Sequence, residues 1–376
     1  MVDKLRIFLT DRTSVSPFLP RQRFSRFFSV ATGVITMFLA GSRSRAIFAG
    51  LTLLLITLST LLGCASPTVV SSLSRPDVYR SDERILHRLK PGETPEMLAK
   101  RYLGEARLAW MVEDANPKAA FLPNRFVVIP LVVKNLAGIT DQGYQTVPIL
   151  CYHRFARSCD SPLCMPTDIF EQQLRYLKEN GYRVIGPDAL AGFLDYRKPI
   201  PKNAVMISVD DGYRSTYDLA YPILKKYGFT ATLFIYIDYV GVSSKAITWD
   251  QLRKLKREGF SIGSHSIAHS DLSKQKKDED KKTYLARLKR EIFRSKQILD
   301  EKLDQDTQIF SYPFGRQNQT VVSLARQAGY TIAVTVDRGS NPFFADPFLI
   351  KRDQVLKREM DRFASRLKTF KYYPLK

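Results

Sequence analysis

The chain is 376 residues long, 44% hydrophobic and strongly basic at +21, with only four cysteines and four histidines. The length allows two domains, and the hydrophobic fraction is ample for a real core. The charge does not point to nucleic acid: the basic stretch Lys274–Arg290 is interspersed with Asp and Glu and lacks aromatic interleaving, the pattern of a solvated helix. It favours other anionic surroundings instead.

In chain order, the first signal is residues 46–62, an apolar, uncharged run about as long as the shortest membrane spans and preceded by Arg43 and Arg45. It reads as a signal sequence. Leu61-Leu62-Gly63-Cys64 follows and resembles the lipobox of bacterial lipoproteins. That resemblance implies cleavage before Cys64 and a lipid on its thiol, with a permanent transmembrane anchor as the alternative. Residues 1–36 are basic, unpatterned and long for a leader, so the start is Met1 or Met37. Loss of residues 1–63 removes eight basic and two acidic residues and takes the net charge from +21 to +15. Ala65 is not the Asp that commonly retains lipoproteins in the inner membrane. The expected location is therefore the bacterial cell envelope, lipid-anchored and facing the periplasm or exterior, with the outer membrane favoured. Residues 64–82, rich in Ser, Pro and Thr, read as a tether.

The pattern changes over residues 83–133. A strand leads into Lys90-Pro91-Gly92-Glu93-Thr94-Pro95, an amphipathic helix, Tyr102-Leu103-Gly104, a second helix, Ala115-Asn116-Pro117 and the strand Phe126–Pro130. Thr94 is a natural N-cap, with Pro95 at the first helical position. The segment resembles a LysM module, a small βααβ domain, and that resemblance implies binding of N-acetylglucosamine glycans such as peptidoglycan. Glu93-Thr94-Pro95 stands where the module usually has Asp-Thr-Leu.

Residues 145–360 alternate apolar strands near 148, 184, 206, 233, 262, 310 and 333 with helical segments near 168, 215, 250, 285 and 320. Seven strands in a βα repeat predict an α/β domain built as an irregular barrel. Residues 361–376 read as a basic C-terminal tail.

Two motifs in this domain carry chemistry. Ser208-Val209-Asp210-Asp211-Gly212 ends the buried strand Ala204–Val209, the edge at which α/β folds place their active sites. A turn permitted by Gly212 lets both carboxylates bend into one cavity. His265-Ser266-Ile267-Ala268-His269 offers two imidazoles at i and i+4, which fall on one face of a helical turn and can reach a common ion. Alone, Asp-Asp-Gly is an ordinary turn and His-x-x-x-His an ordinary surface pair. Together, in a chain with four histidines, they fit a catalytic divalent ion that takes three protein ligands and keeps one position for water. Two His and one Asp accept zinc, cobalt, nickel or iron. Position 266 is Ser rather than the Glu of a zinc-protease helix, so the base comes from the Asp pair.

These residues resemble the metal-dependent polysaccharide deacetylases, whose first motif is a Thr-Phe-Asp-Asp-Gly type strand end and whose second is His-Ser/Thr-x-x-His. Val147–His153 is similar to the family's first strand, Phe170–Leu174 through Gly181-Tyr182 to its first helix, and Phe310-Ser311-Tyr312-Pro313-Phe314-Gly315 to its third motif. The resemblance implies a distorted seven-stranded (β/α) barrel. It implies Asp210 as general base and Asp211, His265 and His269 as ligands of one divalent metal, usually zinc. It also implies that Tyr312, Pro313 and Phe314 line the groove, with the Phe314 amide on the oxyanion. The implied reaction is hydrolysis of the acetamide of N-acetylglucosamine units in a polysaccharide such as peptidoglycan or an exopolysaccharide, releasing acetate.

The chain departs from the family twice. Ser311 replaces the Arg that pairs with the catalytic Asp in many members; Arg352, after the strand Phe348–Ile350, could supply a guanidinium, although an exposed surface Arg is the commoner outcome. No histidine follows His269, so the usual general acid is missing. In a closed barrel the first and last strands are neighbours, which makes His153 the candidate acid. A metal amidohydrolase acting on another amide, or a catalytically impaired glycan-binding lipoprotein, are the alternatives. Cys159 and Cys164 bracket a short loop and can pair in an oxidising compartment, while Cys151 reads as a buried thiol.

Overall fold

Continuous apolar runs and short capped helices dictate the architecture of this computed structural model, which describes residues 76–356 and 358–373. The signal segment, the lipobox with Cys64, the tether up to residue 75 and the last three residues of the chain lie outside the described residues. No helix among the described residues is long and apolar enough to cross a membrane.

The first part of the described chain is a small antiparallel sheet of β1 (Val78–Arg80), β2 (Arg84–Arg88) and β3 (Phe126–Pro130) with two helices, α1 (Pro95–Leu103) and α2 (Ala109–Asp114), inserted between β2 and β3. Alternation along β2 buries Ile85, and along β3 it buries Val127 and Ile129, against Leu98 and Val112. Thr94 caps α1 by accepting the Met97 amide at 3.3 Å, with Pro95 in the first turn. The expected βααβ pattern is present with one strand more: residues 78–80, assigned to the tether, pair with β2.

The larger part begins with β4 (Gly143–Tyr152), β5 (Arg154–Ala156), β6 (Cys164–Pro166), α3 (Thr167–Glu179), β7 (Arg183–Val184) and α4 (Pro187–Leu194). It continues through β8 (Ala204–Val209), α5 (Tyr221–Tyr227), β9 (Thr232–Ile235), α6 (Trp249–Arg257), β10 (Ser261–Ser264), α7 (Lys281–Lys289) and α8 (Ser295–Leu303). It ends with β11 (Ile309–Ser311), α9 (Gln319–Gln327), β12 (Ile332–Val334), β13 (Ser340–Pro342), β14 (Asp353–Gln354), α10 (Met360–Ala364) and β15 (Phe370–Tyr372). β8, with all six residues buried, has the two-faced burial of a parallel sheet under helices.

The strand order is β12-β11-β10-β9-β8-β4-β13, with β7 on β8 and with β14 and β15 also on β4. Neighbours from β4 to β12 in this order are parallel, so their C-terminal ends share one edge. The sheet curls. One segment reaches both ends of this parallel run: Ile350 exchanges backbone hydrogen bonds with Ala333 and Thr335, and β14 pairs with Leu150 and Cys151 of β4. Among the described residues ten strands, rather than seven, belong to this sheet, because the ten-residue β4 is long enough to pair with β13, β14 and β15 as well as β8. Residues 361–373 are not a free tail: Phe363 and Leu367 are buried in the main core and β15 pairs with Gly143–Gln145.

The small module packs at the opposite edge of the sheet. Arg183, in β7, donates to Asp114 at 2.7 Å and Glu113 at 2.6 Å, and the Lys202 amide, just before β8, donates to Asp114 at 3.1 Å. These contacts lie at the N-terminal ends of β7 and β8.

Candidate active site

The parallel strands β4, β8, β9, β10 and β11 each deliver a side chain or turn to the site just past their C-terminal ends. His153 follows β4, Asp210 and Asp211 follow β8, Tyr236 follows β9, His265 follows β10, and the Tyr312–Gly315 turn follows β11. The backbone must bend sharply at this edge, and it does so at Asp211 (φ 76°), Gly212 (φ 77°), Ser266 (φ 73°), His269 (φ 52°) and Phe314 (φ 58°). Left-handed conformations at non-glycine residues cost free energy and cluster at functional sites.

Asp210 is buried and meets a fully buried Arg352, whose two terminal nitrogens reach the two carboxylate oxygens at 2.7 and 2.8 Å. The remaining guanidinium donors go to Ser208 Oγ (3.1 Å), Ser311 Oγ (2.9 Å) and the Thr335 carbonyl (2.8 Å), so all five are used. Arg352 is thus not an exposed surface residue. Ser311, where an arginine would otherwise stand, instead hydrogen-bonds the arginine that arrives from the end of the sheet. Burial alone would raise the Asp210 carboxyl, but the charge and paired hydrogen bonds of Arg352 outweigh it and hold the group well below the usual carboxylate range.

Asp211, His265 and His269 turn their donor atoms to one point. The separations are 3.1 Å between the two Nε2 atoms, 3.4 Å from His269 Nε2 to Asp211 Oδ1 and 3.7 Å from His265 Nε2 to the same oxygen. Two ligands each about 2.0–2.1 Å from an ion at the tetrahedral angle lie about 3.3 Å apart, so the triangle fits a single ion of zinc type. His265 Nδ1 lies 2.8 Å from the Ser311 carbonyl, which can only accept, so Nδ1 carries the proton and Nε2 presents a lone pair. Burial lowers His265 to about 3, which keeps it in the neutral form a ligand requires. Burial and the adjacent Asp210 push Asp211 up to about 7, a cost that a neighbouring cation would relieve. A second group, Cys151, His153 and Asp210, also brings donor atoms within 4.8 Å of one another. It is a poor cation site, since both Asp210 oxygens already hold a guanidinium.

The two histidines do not lie on a helical turn as expected. Ser266 in the left-handed region breaks the chain after β10, and the bend is held by side chains: Ser266 Oγ accepts the His269 amide at 3.1 Å, and the buried Glu291 carboxylate accepts the Ile267 and Ala268 amides, each at 2.9 Å. No sequence motif points to Glu291. Its role runs through backbone amides, and neither its spacing nor its neighbours mark it.

His153 is largely buried and shares the cluster with Asp210; burial moves its imidazole below the ordinary value, against the pull of the Asp210 charge. Of the third-motif turn, Phe314 alone is exposed, at 53%, with its ring 4.6 Å from that of His269. Tyr312 and Pro313 do not line the groove with their side chains. Tyr312 points into the core and donates to the Phe348 carbonyl at 3.0 Å, because adjacent residues leaving a strand face opposite sides. Gly315 is required behind them: its φ is 67° and a Cβ would lie 2.7 Å from the Val336 nitrogen. Cys159 and Cys164 are joined in a disulfide that closes the loop between β5 and β6, and Cys151 is free and buried.

The profile of the polysaccharide deacetylase family matches residues 197–333, which contain both carboxylates, both histidines of the triangle and the third-motif turn. A Bacillus subtilis protein assigned to the polysaccharide deacetylases, YxkH, is 34% identical over 204 residues, covering 54% of this chain and 69% of the relative. A poly-β-1,6-N-acetyl-D-glucosamine N-deacetylase of Staphylococcus aureus is 28% identical over 196 residues, covering 49% of this chain and 67% of the relative. The solved structure of the Streptococcus pyogenes deacetylase PplD in complex with acetate superposes with a TM-score of 0.55 at 26% identity, over 59% of this chain and 98% of that one. The IcaB structure from Ammonifex degensii, at 24% identity and a TM-score of 0.53, shares the fold. With a relative 34% identical and matched over 69% of its length, the chain belongs to the polysaccharide deacetylase family and is a hydrolase, a polysaccharide N-deacetylase.

Proposed function

We propose that the protein removes acetyl groups from N-acetylglucosamine units of a polysaccharide in the cell envelope. The observation that carries this is the convergence of Asp211, His265 and His269 on one point beside an Asp210 clamped by Arg352. The Staphylococcus aureus relative, named for poly-β-1,6-N-acetyl-D-glucosamine, supports the substrate class.

Asp211, His265 and His269 would hold one divalent ion, zinc by the match of donor set and spacing; when bound it supplies acidification of a water and polarisation of the acetamide carbonyl. Asp210, kept ionised and fixed by Arg352, takes a proton from the attacking water. The Phe314 amide donates to the carbonyl oxygen as that atom gains negative charge. His153, which follows the strand paired with β8, hands a proton to the departing nitrogen. Acetate and a free amino sugar result.

Outside the catalytic domain, the βααβ-like module of residues 83–133 serves as a glycan-binding unit of LysM type, and a lipid on Cys64 holds the enzyme on the membrane, with the outer membrane favoured. Acetate release by the full chain from β-1,6 and β-1,4 N-acetylglucosamine oligomers and from peptidoglycan tests the reading. Asp210→Asn should abolish turnover while sparing metal binding, and His265→Ala should lose the metal. Equal metal loss in both variants, or silence on every glycan with metal bound, would refute it.

A further inference from the structure

The active-site edge carries aromatic rings that the reaction does not use. Tyr213 follows β8, and Tyr236 and Tyr239 follow β9. They form one arc with the metal-ligand candidate His269: ring centroids are 5.6 Å apart for Tyr213 and Tyr239, 5.2 Å for Tyr239 and Tyr236, and 5.2 Å for Tyr236 and His269. Exposed Phe314 extends the arc 4.6 Å beyond His269. Each consecutive strand from β8 to β11 thus contributes at least one ring.

Two properties set this arc apart from core packing. Its three tyrosines are all half-buried, whereas the core aromatics of the same sheet are covered. A tyrosine with its ring embedded normally gives its hydroxyl a partner, as Tyr152 does with Gln173 at 2.8 Å and Tyr312 with the Phe348 carbonyl. Among the described residues, no protein group takes a hydrogen bond from the hydroxyls of Tyr213, Tyr236 or Tyr239. Flat apolar faces edged with free donor-acceptor hydroxyls suit a ligand with alternating C–H faces and hydroxyl edges, which describes a pyranose. Beyond Tyr213 the surface opens into a groove of about 580 Å³ lined by Arg154, Arg214, Ser215 and Lys245, so the arc continues into room for more than one sugar.

We propose that Tyr213, Tyr239 and Tyr236 form a glycan-recognition subsite that holds the sugar adjoining the one being deacetylated, making the enzyme select oligomers over the monosaccharide. The inference rests on the deacetylase reading for the identity of the sugar, and on the arc itself for the binding. Loss of the hydroxyls should act on binding of long substrates and leave the reacting unit's chemistry alone.

The test uses the full chain with Tyr213, Tyr236 and Tyr239 all changed to Phe, which keeps every ring and the fold. Titration calorimetry with N-acetylglucosamine pentamers, β-1,6- and β-1,4-linked, is run in the Asp210→Asn background, and acetate release from pentamer and monosaccharide is measured in the active background. The expected result is a rise in pentamer Kd and KM of about tenfold or more, with kcat within about threefold and the monosaccharide rate unchanged. Unaltered pentamer Kd and KM, equal losses on pentamer and monosaccharide, or no pentamer binding by the parent would overturn it. Binding that depends on the hydroxyls with no acetate released from any glycan would sink the deacetylase reading and leave the subsite standing.

Discussion

Arg352 and Glu291 hold the site together from outside the motifs. All five guanidinium donors of Arg352 are satisfied inside the sheet, two of them by Asp210. Removing one partner of a buried ion pair strands the other, at a cost of about 3–5 kcal/mol. Arg352→Ala should therefore lower the thermal midpoint markedly. Arg352→Lys keeps the charge but not the fork, and should still cost about a hundredfold in kcat/KM through misplacement of Asp210; a lysine variant with parental turnover would end this argument. Glu291 acts one step further out, through the two amides it holds between the histidines. Glu291→Ala should weaken divalent-metal affinity about tenfold to a hundredfold, with Glu291→Gln, which keeps an acceptor oxygen, recovering most of it. Equal affinity in all three proteins, measured by competition with a chelator, would show that the bend stands without it. The four motif residues were legible because each pair is close in sequence. Arg352 lies 142 residues from its partner, and no spacing reveals a contact at that range. Tyr312 faces the core while Phe314 in the same turn is exposed, an alternation that the motif's sequence does not display.

At the scale of elements, strands with long apolar runs were readable and strands set by their partners were not. β8 declares itself by six buried residues in a row. β13, β14 and β15 have three, two and three residues, too few to show any period, and they exist because β4 offers backbone groups to pair with. The module's turn before α1 is set by a different device. Glu93 accepts the Lys90 amide at 2.9 Å, meets buried His87 at 2.6 Å and Arg101 at 2.6 Å, and His87 in turn contacts Tyr102 at 3.0 Å. Burial would raise the Glu93 carboxyl, but its bonds to His87, Lys90 and Arg101 together bring it down to about 2. A carboxyl lowered in the folded state contributes stability that is complete above its unfolded value and is lost as pH falls toward the folded one. The loop at residues 90–94 should thus loosen between about pH 4.5 and 2, by on the order of 1–2 kcal/mol after solvent screening. Hydrogen exchange at these amides as a function of pH would show it. Glu93→Gln should flatten that dependence, and an unchanged slope in the variant would assign the acid sensitivity elsewhere.

For the whole molecule, the decisive feature is that the module and the catalytic cluster occupy opposite edges of one sheet. Lys202, which contacts the module, and Asp210, in the catalytic cluster, flank β8 on its two sides, up to roughly 26 Å apart at about 3.3 Å per residue. A sugar bound to the module is therefore not the sugar being deacetylated. If the module holds glycan, only a chain long enough to pass from one edge to the other engages both, and its advantage comes from effective concentration rather than from new contacts at the site. The dock that fixes this geometry is small: Arg183 between Glu113 and Asp114, with Lys202 beside it. Arg183→Glu places like charges together and should release the module without touching residues at the other edge. Deacetylation of short N-acetylglucosamine oligomers should then stay within about twofold of the parent, while KM for long polymer rises several-fold as the two sites lose their fixed separation. A loss of equal size on short oligomers would mean that the dock supports the catalytic sheet itself. No change on polymer would mean that the module contributes nothing to substrate capture.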